Sequence, residues 1–264
     1  MSTPRQDLGE ALWRLSDLVR ADERSRSFRA KAYRRAVWSL DELAPDLSDP
    51  SEKALSIPGI GAGVLRLIEE FLESGRLALL ARLEEVYPRD VARMRRLPRM
   101  TPTILRSLKG ELGVDTSTEL IVAIEAGGVE ALRGVGPATA ERWARTLRLA
   151  PSDRAIPGFQ ATVLADALTL HLSRHLGAET RPAGGVRRMD EWVESVDLVA
   201  GTEKVEAGRD LLAGTAVARL TGHGPMGELV LRTHENVEAR IHLVQPSQIG
   251  RRLLLATGPD WHAA

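Results

Sequence analysis

Two short segments constrain this 264-residue chain more than anything else in it: Ile57-Pro58-Gly59-Ile60-Gly61-Ala62-Gly63 and Leu132-Arg133-Gly134-Val135-Gly136-Pro137-Ala138-Thr139. Each reads apolar, x, Gly, apolar, Gly, and each runs into an amphipathic helical stretch. Glycine reaches backbone angles closed to other residues and lets another chain approach closely, so the pattern predicts a tight turn between paired helices. Ile60 and Val135, between the glycines, are placed to plug the gap between those helices. Leu8, Leu12, Leu15, Leu18 and Val19 keep a helical period, as do Val64, Leu67, Ile68, Phe71 and Leu72. Prolines 45, 50, 58, 88, 98, 102 and 137 punctuate the stretches, so the first 150 residues read as helical throughout.

After Pro151 the texture changes. A helix is predicted over 162–176 and another over 203–212, with β-like runs at 194–200, 227–232 and 237–244. The turns His223-Gly224-Pro225-Met226-Gly227 and Thr233–Asn236 suggest a β-meander. The expected fold class is α + α/β in several domains: an all-α half, then an α+β half, with the boundary near Ala150–Arg154.

Composition narrows the chemistry. Cysteine is absent, which excludes disulfides, thiolate nucleophiles and cysteine-based zinc sites and makes a cytoplasmic location the simplest expectation. No apolar run suits a membrane span or signal peptide, so no membrane partner is expected. Acids and bases balance at 36 each, but the basic set is 32 Arg against four Lys, leaving few candidates for lysine chemistry. The bases also cluster. Arg24, Arg26, Arg29, Lys31, Arg34 and Arg35 occupy one stretch without an acid, and seven bases between Arg89 and Lys109 share one acid, Asp90. Beside glycine turns whose following helices offer free N–H groups, both clusters read as phosphate-facing stripes.

The two glycine turns resemble the helix-hairpin-helix motif, a sequence-independent binder of the DNA backbone. Leu97-Pro98-Arg99-Met100-Thr101-Pro102 has the same frame with both glycines replaced and reads as a decayed third copy, a hairpin that has lost close approach to a phosphate. Ser27–Ala36, the Ile57–Gly63 turn and Ile68–Gly75 together resemble the N-terminal DNA-end-binding domain of the family X DNA polymerases. The stretch 89–147 resembles their fingers. Ala183–Arg188, Val193–Ala200, Ala239–Val244 and Leu255–Gly258 resemble their palm. The resemblance implies three domains: a DNA-end-binding domain over 1–88, a fingers-like helix-hairpin-helix domain over 89–150, and a truncated nucleotidyltransferase-like palm over 151–264. It also implies DNA contact through Arg29, Lys31, Tyr33, Arg34, Arg35, Gly59, Ile60, Gly61, Ala62, Gly63, Gly134, Val135, Gly136, Ala138 and Thr139, with Tyr33 either on the DNA (in a 5′-phosphate pocket, which the resemblance favours, or stacked on a base) or in the core.

The departures from that family point away from catalysis. Its polymerases hold two metal ions on an Asp-x-Asp pair and a third Asp of a neighbouring strand. Here the matching positions are Ser195, Asp197 and Arg240, so one carboxylate of three is kept and a fixed positive charge stands at another. The family's Gly-Ser is Gly184-Gly185. Asp190, Glu191 and Glu194 lie nearby, but Glu194 is adjacent to Ser195 and belongs on the opposite face of the strand. The lyase lysines of the family match Gly63 and Leu67, and that helix contains Arg66, which stays protonated and cannot form a Schiff base. The subdomain that closes over the nucleotide and the phosphoesterase domain of bacterial members are expected to be missing beyond Ala264.

The remaining candidates are weaker. His171 and His175 share a helix face without a third ligand at a familiar spacing, and no P-loop occurs, so neither metal nor cofactor is expected. Trp13, Trp38 and Trp143 fall on apolar faces. Aromatics at 4% argue against single-strand binding by base stacking. The expected function is non-catalytic, sequence-independent binding to DNA ends, nicks or gaps, 5′-phosphorylated sites preferred, in nucleoid-associated repair, with the palm-like half available to a repair partner. The alternatives are a nucleotidyltransferase or 5′-deoxyribose-phosphate lyase rebuilt around Asp197, Asp190 and Glu194, and a protein-interaction module.

Overall fold

The computed structural model describes residues 3–22, 28–48, 52–149 and 155–258. Arg24, Arg26 and Ser27, Pro50 and the expected boundary at Ala150–Arg154 lie outside the described residues. Two compact units emerge, one of residues 7–149 and one from the described residues of 1–6 and 150–264.

The first unit is helical, and the first residues of its opening helix, up to Gln6, are counted with the second unit. Its elements are α1 (Pro4–Asp22), α2 (Phe28–Ser39), α3 (Glu52–Leu55), α4 (Ala62–Ser74), α5 (Ala78–Val86), α6 (Val91–Met94), α7 (Pro102–Gly110), α8 (Ser117–Glu125) and α9 (Pro137–Arg148). The α1 stripe of Leu8, Leu12, Leu15, Leu18 and Val19 is entirely buried, each leucine contributing about 1.5–3 kcal/mol of transfer free energy. On α4, Val64 and Ile68 are buried, Leu67 and Phe71 half-buried, and Leu72 exposed, so the apolar stripe is narrower than its periodicity suggests. Local chemistry ends the helices. Gly75 terminates α4 in the left-handed region (φ 69°), its N–H donating to the Phe71 carbonyl at 2.8 Å. Thr116 and Glu119 close a capping box at the start of α8. The expected core places for Trp13 and Trp143 hold, and Trp38 is half-buried.

The second unit is α/β. Its elements are β1 (Ile156–Pro157), α10 (Gly158–Leu176), β2 (Glu179–Pro182), α11 (Gly184–Arg188), β3 (Trp192–Val193), β4 (Ser195–Gly201), α12 (Val205–Gly214), β5 (Ala218–His223), β6 (Leu229–Thr233), β7 (Glu238–Val244) and α13 (Ile249–Thr257). A five-stranded mixed sheet has the order β2-β4-β7-β6-β5, beside a small β1-β3 pair. The two expected turns do connect an antiparallel meander, but it is β5-β6-β7; the first expected run, β4, is not part of it and pairs in parallel with β7. That pairing requires the crossover through α12, β5 and β6, and pattern alone does not reveal it. Strands β2 and β5 were not expected. Both alternate polar with apolar residues only weakly, as edge strands do. Among the described residues no helix is long and apolar enough to cross a membrane.

Candidate nucleic-acid interface

All three hairpin segments adopt one backbone form. The third residue of each turn has positive φ: Gly59 at 104°, Arg99 at 62° and Gly134 at 90°. In each, the N–H after it closes an i→i+3 bond, Ile60 to Ile57 (3.1 Å), Met100 to Leu97 (3.2 Å) and Val135 to Leu132 (3.1 Å). The next residue is extended and begins a helix: Gly61 (φ −99°), Thr101 (φ −114°) and Gly136 (φ −106°). Ile60 and Val135 are buried, as plugs between helices should be. Each of the first two turns is also tied down through a proline carbonyl. The Ser39 hydroxyl donates to Pro58 at 2.6 Å, and the Trp143 indole N–H donates to Pro98 at 2.8 Å.

The glycines divide into two kinds. At Gly59 the backbone demands glycine, and a Cβ would also stand 2.9 Å from both Arg35 Cγ and Ser39 Oγ. Gly134 is demanded by φ alone. Gly61 and Gly136 are different. Their φ values suit any residue and nothing lies within 4 Å of where a Cβ would be, so neither the chain nor its neighbours require glycine there. No side chain caps α4 or α9, and Gly61, Ala62, Gly63, Gly136 and Ala138 are exposed. Those helix ends therefore present outward-facing N–H groups and the positive end of a dipole, with Thr139 half-buried just inside α9. Pro137 removes one donor from the α9 end. The middle hairpin keeps the shape without the offer: Thr101 Oγ1 accepts from the Ile104 N–H at 3.2 Å, and Pro102 follows.

The basic residues sort unevenly around these turns. Arg29, Lys31 and Arg35 are exposed on α2. Arg34 is not available as expected: its guanidinium pairs with Asp17 at 2.5 Å, donates to Ser16 at 3.2 Å and lies 4.5 Å over the Trp13 ring. Its partners sit on α1, which is why a charge run on α2 could not disclose them. Tyr33 is 8% exposed and packs in the core, the second of its two expected places. Nor is the second basic stretch the phosphate-facing stripe its charge run suggests, because much of it is internal bracing. Arg89 and Lys109 both pair with Asp115, at 3.4 and 2.5 Å. Burial alone would raise the Asp115 carboxyl, but hydrogen bonds from Lys109 and the Arg89 N–H and their charges outweigh it and hold it below the usual range. Arg106 faces Asp22 at 3.8 Å and the Tyr87 ring, Arg93 reaches the Leu147 carbonyl, and burial lowers the Arg95 pKa. Arg99 remains exposed at the turn.

In the second unit, Ser195, Asp197 and Arg240 are brought together. Asp197 and Arg240 are register partners across the parallel β4-β7 pair, and the Ser195 hydroxyl donates to Asp197 Oδ2 at 2.8 Å. Asp197 is 8% exposed. Burial pushes its carboxyl above the usual range, with the Ser195 hydrogen bond and the Arg240 charge pulling the other way. Arg240 donates to Glu238 at 2.8 Å, and Arg232 of β6 reaches the same carboxylate at 3.4 Å. Gly184 and Gly185 are filled from the side: a Cβ at Gly184 would stand 2.7 Å from Asp197 Oδ2, and one at Gly185 would stand 2.9 Å from Asp190 Oδ2. Asp190 itself pairs with Arg188 at 2.7 Å, while Glu194 is exposed. His171 is buried and its ring lies 4.6 Å from that of His175.

Residues 3–77, which include the first hairpin, match the family described as a helix-hairpin-helix domain. Over 179 residues the chain is 28% identical to the DNA polymerase/3'-5' exonuclease PolX of Bacillus subtilis (strain 168), an alignment that takes in 67% of this chain and 31% of that protein. The chain thus spans about a third of the length of the curated relative it matches. With a helical half that carries the hairpins and an α/β half that follows it, the chain is similar to a family X DNA polymerase over two thirds of its length.

Proposed function

We propose that this protein binds DNA through the sugar-phosphate backbone, independently of sequence, and acts on ends, nicks or gaps during repair without catalysing a reaction. One observation carries the reading. Gly61 and Gly136 are bare where neither backbone angle nor internal packing asks for it, and they open uncapped helix ends. A phosphate accepting from those N–H groups explains both features. Arg29, Lys31 and Arg35 supply further positive charge beside the first hairpin, and the middle hairpin, capped by its own Thr101, serves as support. Similarity to a DNA polymerase/3'-5' exonuclease is consistent with a DNA partner, and nucleoid association follows from such binding. A repair protein docking on the α/β half belongs to the same proposal.

The non-catalytic part rests on the sheet. Of the carboxylates that a rebuilt site would use, Asp197 faces Arg240, Asp190 is paired with Arg188, and Glu194 is exposed. The test is a mobility-shift titration of a 5′-phosphorylated gapped duplex in two unrelated sequences, alongside metal-dependent extension and strand-cleavage assays on wild type and Asp197→Ala. Equal affinity for both sequences and no Asp197-dependent turnover are expected. More than tenfold sequence preference refutes backbone recognition, and metal-dependent turnover lost in Asp197→Ala refutes the non-catalytic reading.

A further inference from the structure

The palm of a family X polymerase implies two divalent cations, and the residues present here do not fit them. A divalent metal of that kind is held by hard anionic oxygens. At the corresponding place on β4 and β7 the donors are one carboxylate, Asp197, and one hydroxyl, Ser195, which spends its proton on that carboxylate at 2.8 Å. The third position is the guanidinium of Arg240, one strand away in direct register. Among the described residues no group of three or more metal-ligating side chains gathers.

We infer that Arg240 is the resident cation of this sheet, taking over from a metal ion the task of balancing the buried carboxylates around Asp197. Neighbouring strands lie about 4.8 Å apart, so register partners on one face interact at close range. Arg240 faces Asp197 on one side and binds Glu238 at 2.8 Å on its own strand, while Arg232 reaches Glu238 from β6. Glu228 is buried and adds a third negative charge that acts on both Asp197 and Arg240. The chain Asp197–Arg240–Glu238–Arg232, with the Ser195 hydroxyl at its head, thus spans three strands with charges alternating from Asp197 on. Asp197 is retained as a partner for this arginine, with Gly184 leaving room for its carboxylate.

The inference concerns the sheet and rests on the non-catalytic reading given above, and the experiment separates the two. Manganese is titrated without DNA into wild type and Asp197→Asn, with the free ion followed by electron paramagnetic resonance. Thermal unfolding is recorded for both and for Arg240→Ala, Arg240→Lys and the Asp197→Asn/Arg240→Ala double variant. Wild type and Asp197→Asn are expected to leave the manganese signal alike. Arg240→Ala is expected to lose roughly 4–8 °C in Tm, most of it recovered in the double variant, with Arg240→Lys close to wild type. Manganese uptake by wild type that Asp197→Asn abolishes overturns the inference. So does an unchanged Tm in Arg240→Ala, or a loss in Arg240→Lys as large as in Arg240→Ala. If Arg240→Ala does not fold, Arg240→Lys and the manganese titration decide. DNA binding measured on the same proteins reports on the earlier reading alone: its absence refutes that reading and leaves the metal result standing.

Discussion

Replacing Gly61 and Gly136 together by alanine separates binding from folding. At both positions φ is near −100° and a Cβ meets nothing within 4 Å, so alanine enters without strain. By restricting the unfolded chain, each substitution stabilises by about 0.4–1 kcal/mol where the native angles are compatible. The thermal midpoint should therefore hold or rise. Binding should not hold. A methyl group at each helix entrance keeps a phosphate from the N–H groups of Ala62, Gly63 and Ala138, and a hydrogen bond to a charged group contributes roughly 1.5–3 kcal/mol. Losing one such contact at each turn weakens affinity by about 100-fold or more, since 1.4 kcal/mol is tenfold. Fluorescence anisotropy with a labelled gapped duplex gives the Kd, and a melt of the same sample gives the Tm. Unchanged affinity at unchanged Tm refutes the argument and leaves the hairpins as packing elements. Gly59→Ala is the control, because its Cβ would stand 2.9 Å from two side chains at a φ of 104°, and it should unfold the first unit more easily by about 1–3 kcal/mol.

Other outcomes follow from single residues. Arg99→Gly should stabilise the helical unit by about 0.5–1 kcal/mol in urea titration, because a left-handed arginine stores about 1–2 kcal/mol that glycine avoids. Arg34→Ala should cost about 1–2 kcal/mol through loss of Asp17 and the Trp13 ring, whereas Lys31→Ala should leave stability alone and lower the slope of log Kd against log salt by about 1. Burial holds the His242 imidazole down to about 4, with Arg252 and Arg240 adding to this and Glu228 opposing. Between that value and the unfolded one near 6.5 only the unfolded chain takes up the proton, so stability of the α/β unit is full above 6.5 and falls as pH drops toward 4, by about 3 kcal/mol at most. His242→Gln should flatten that slope in urea titrations across pH. Asp197 has the opposite sign, its folded pKa being raised, so Asp197→Asn should steepen the fall.

What could be read from the residues depended on whether the cause was local. Turn geometry at Gly59 and Gly134, the plugs Ile60 and Val135 and the α1 stripe were legible, because each follows from steric limits or periodicity within a few residues. The left-handed Arg99 was half-legible: the hairpin frame announced the shape, but nothing in an arginine announces a positive φ. Partners distant in sequence were invisible. Arg34 reads like its neighbours Lys31 and Arg35 until Asp17 and Trp13 are folded against it, and Arg89 and Lys109 look like a basic stripe until Asp115 collects both. The same limit hid the parallel β4-β7 register, which alone places Arg240 opposite Asp197. Tyr33 had two expected places, and burial against the helical core decided between them.

The most direct test of the central claim is fluorescence anisotropy of the whole protein on a 5′-phosphorylated gapped duplex, an intact duplex and a single strand, across a salt series. Backbone recognition at the hairpins predicts tight binding that falls steeply with salt and favours the gap. No binding to any of the three contradicts it.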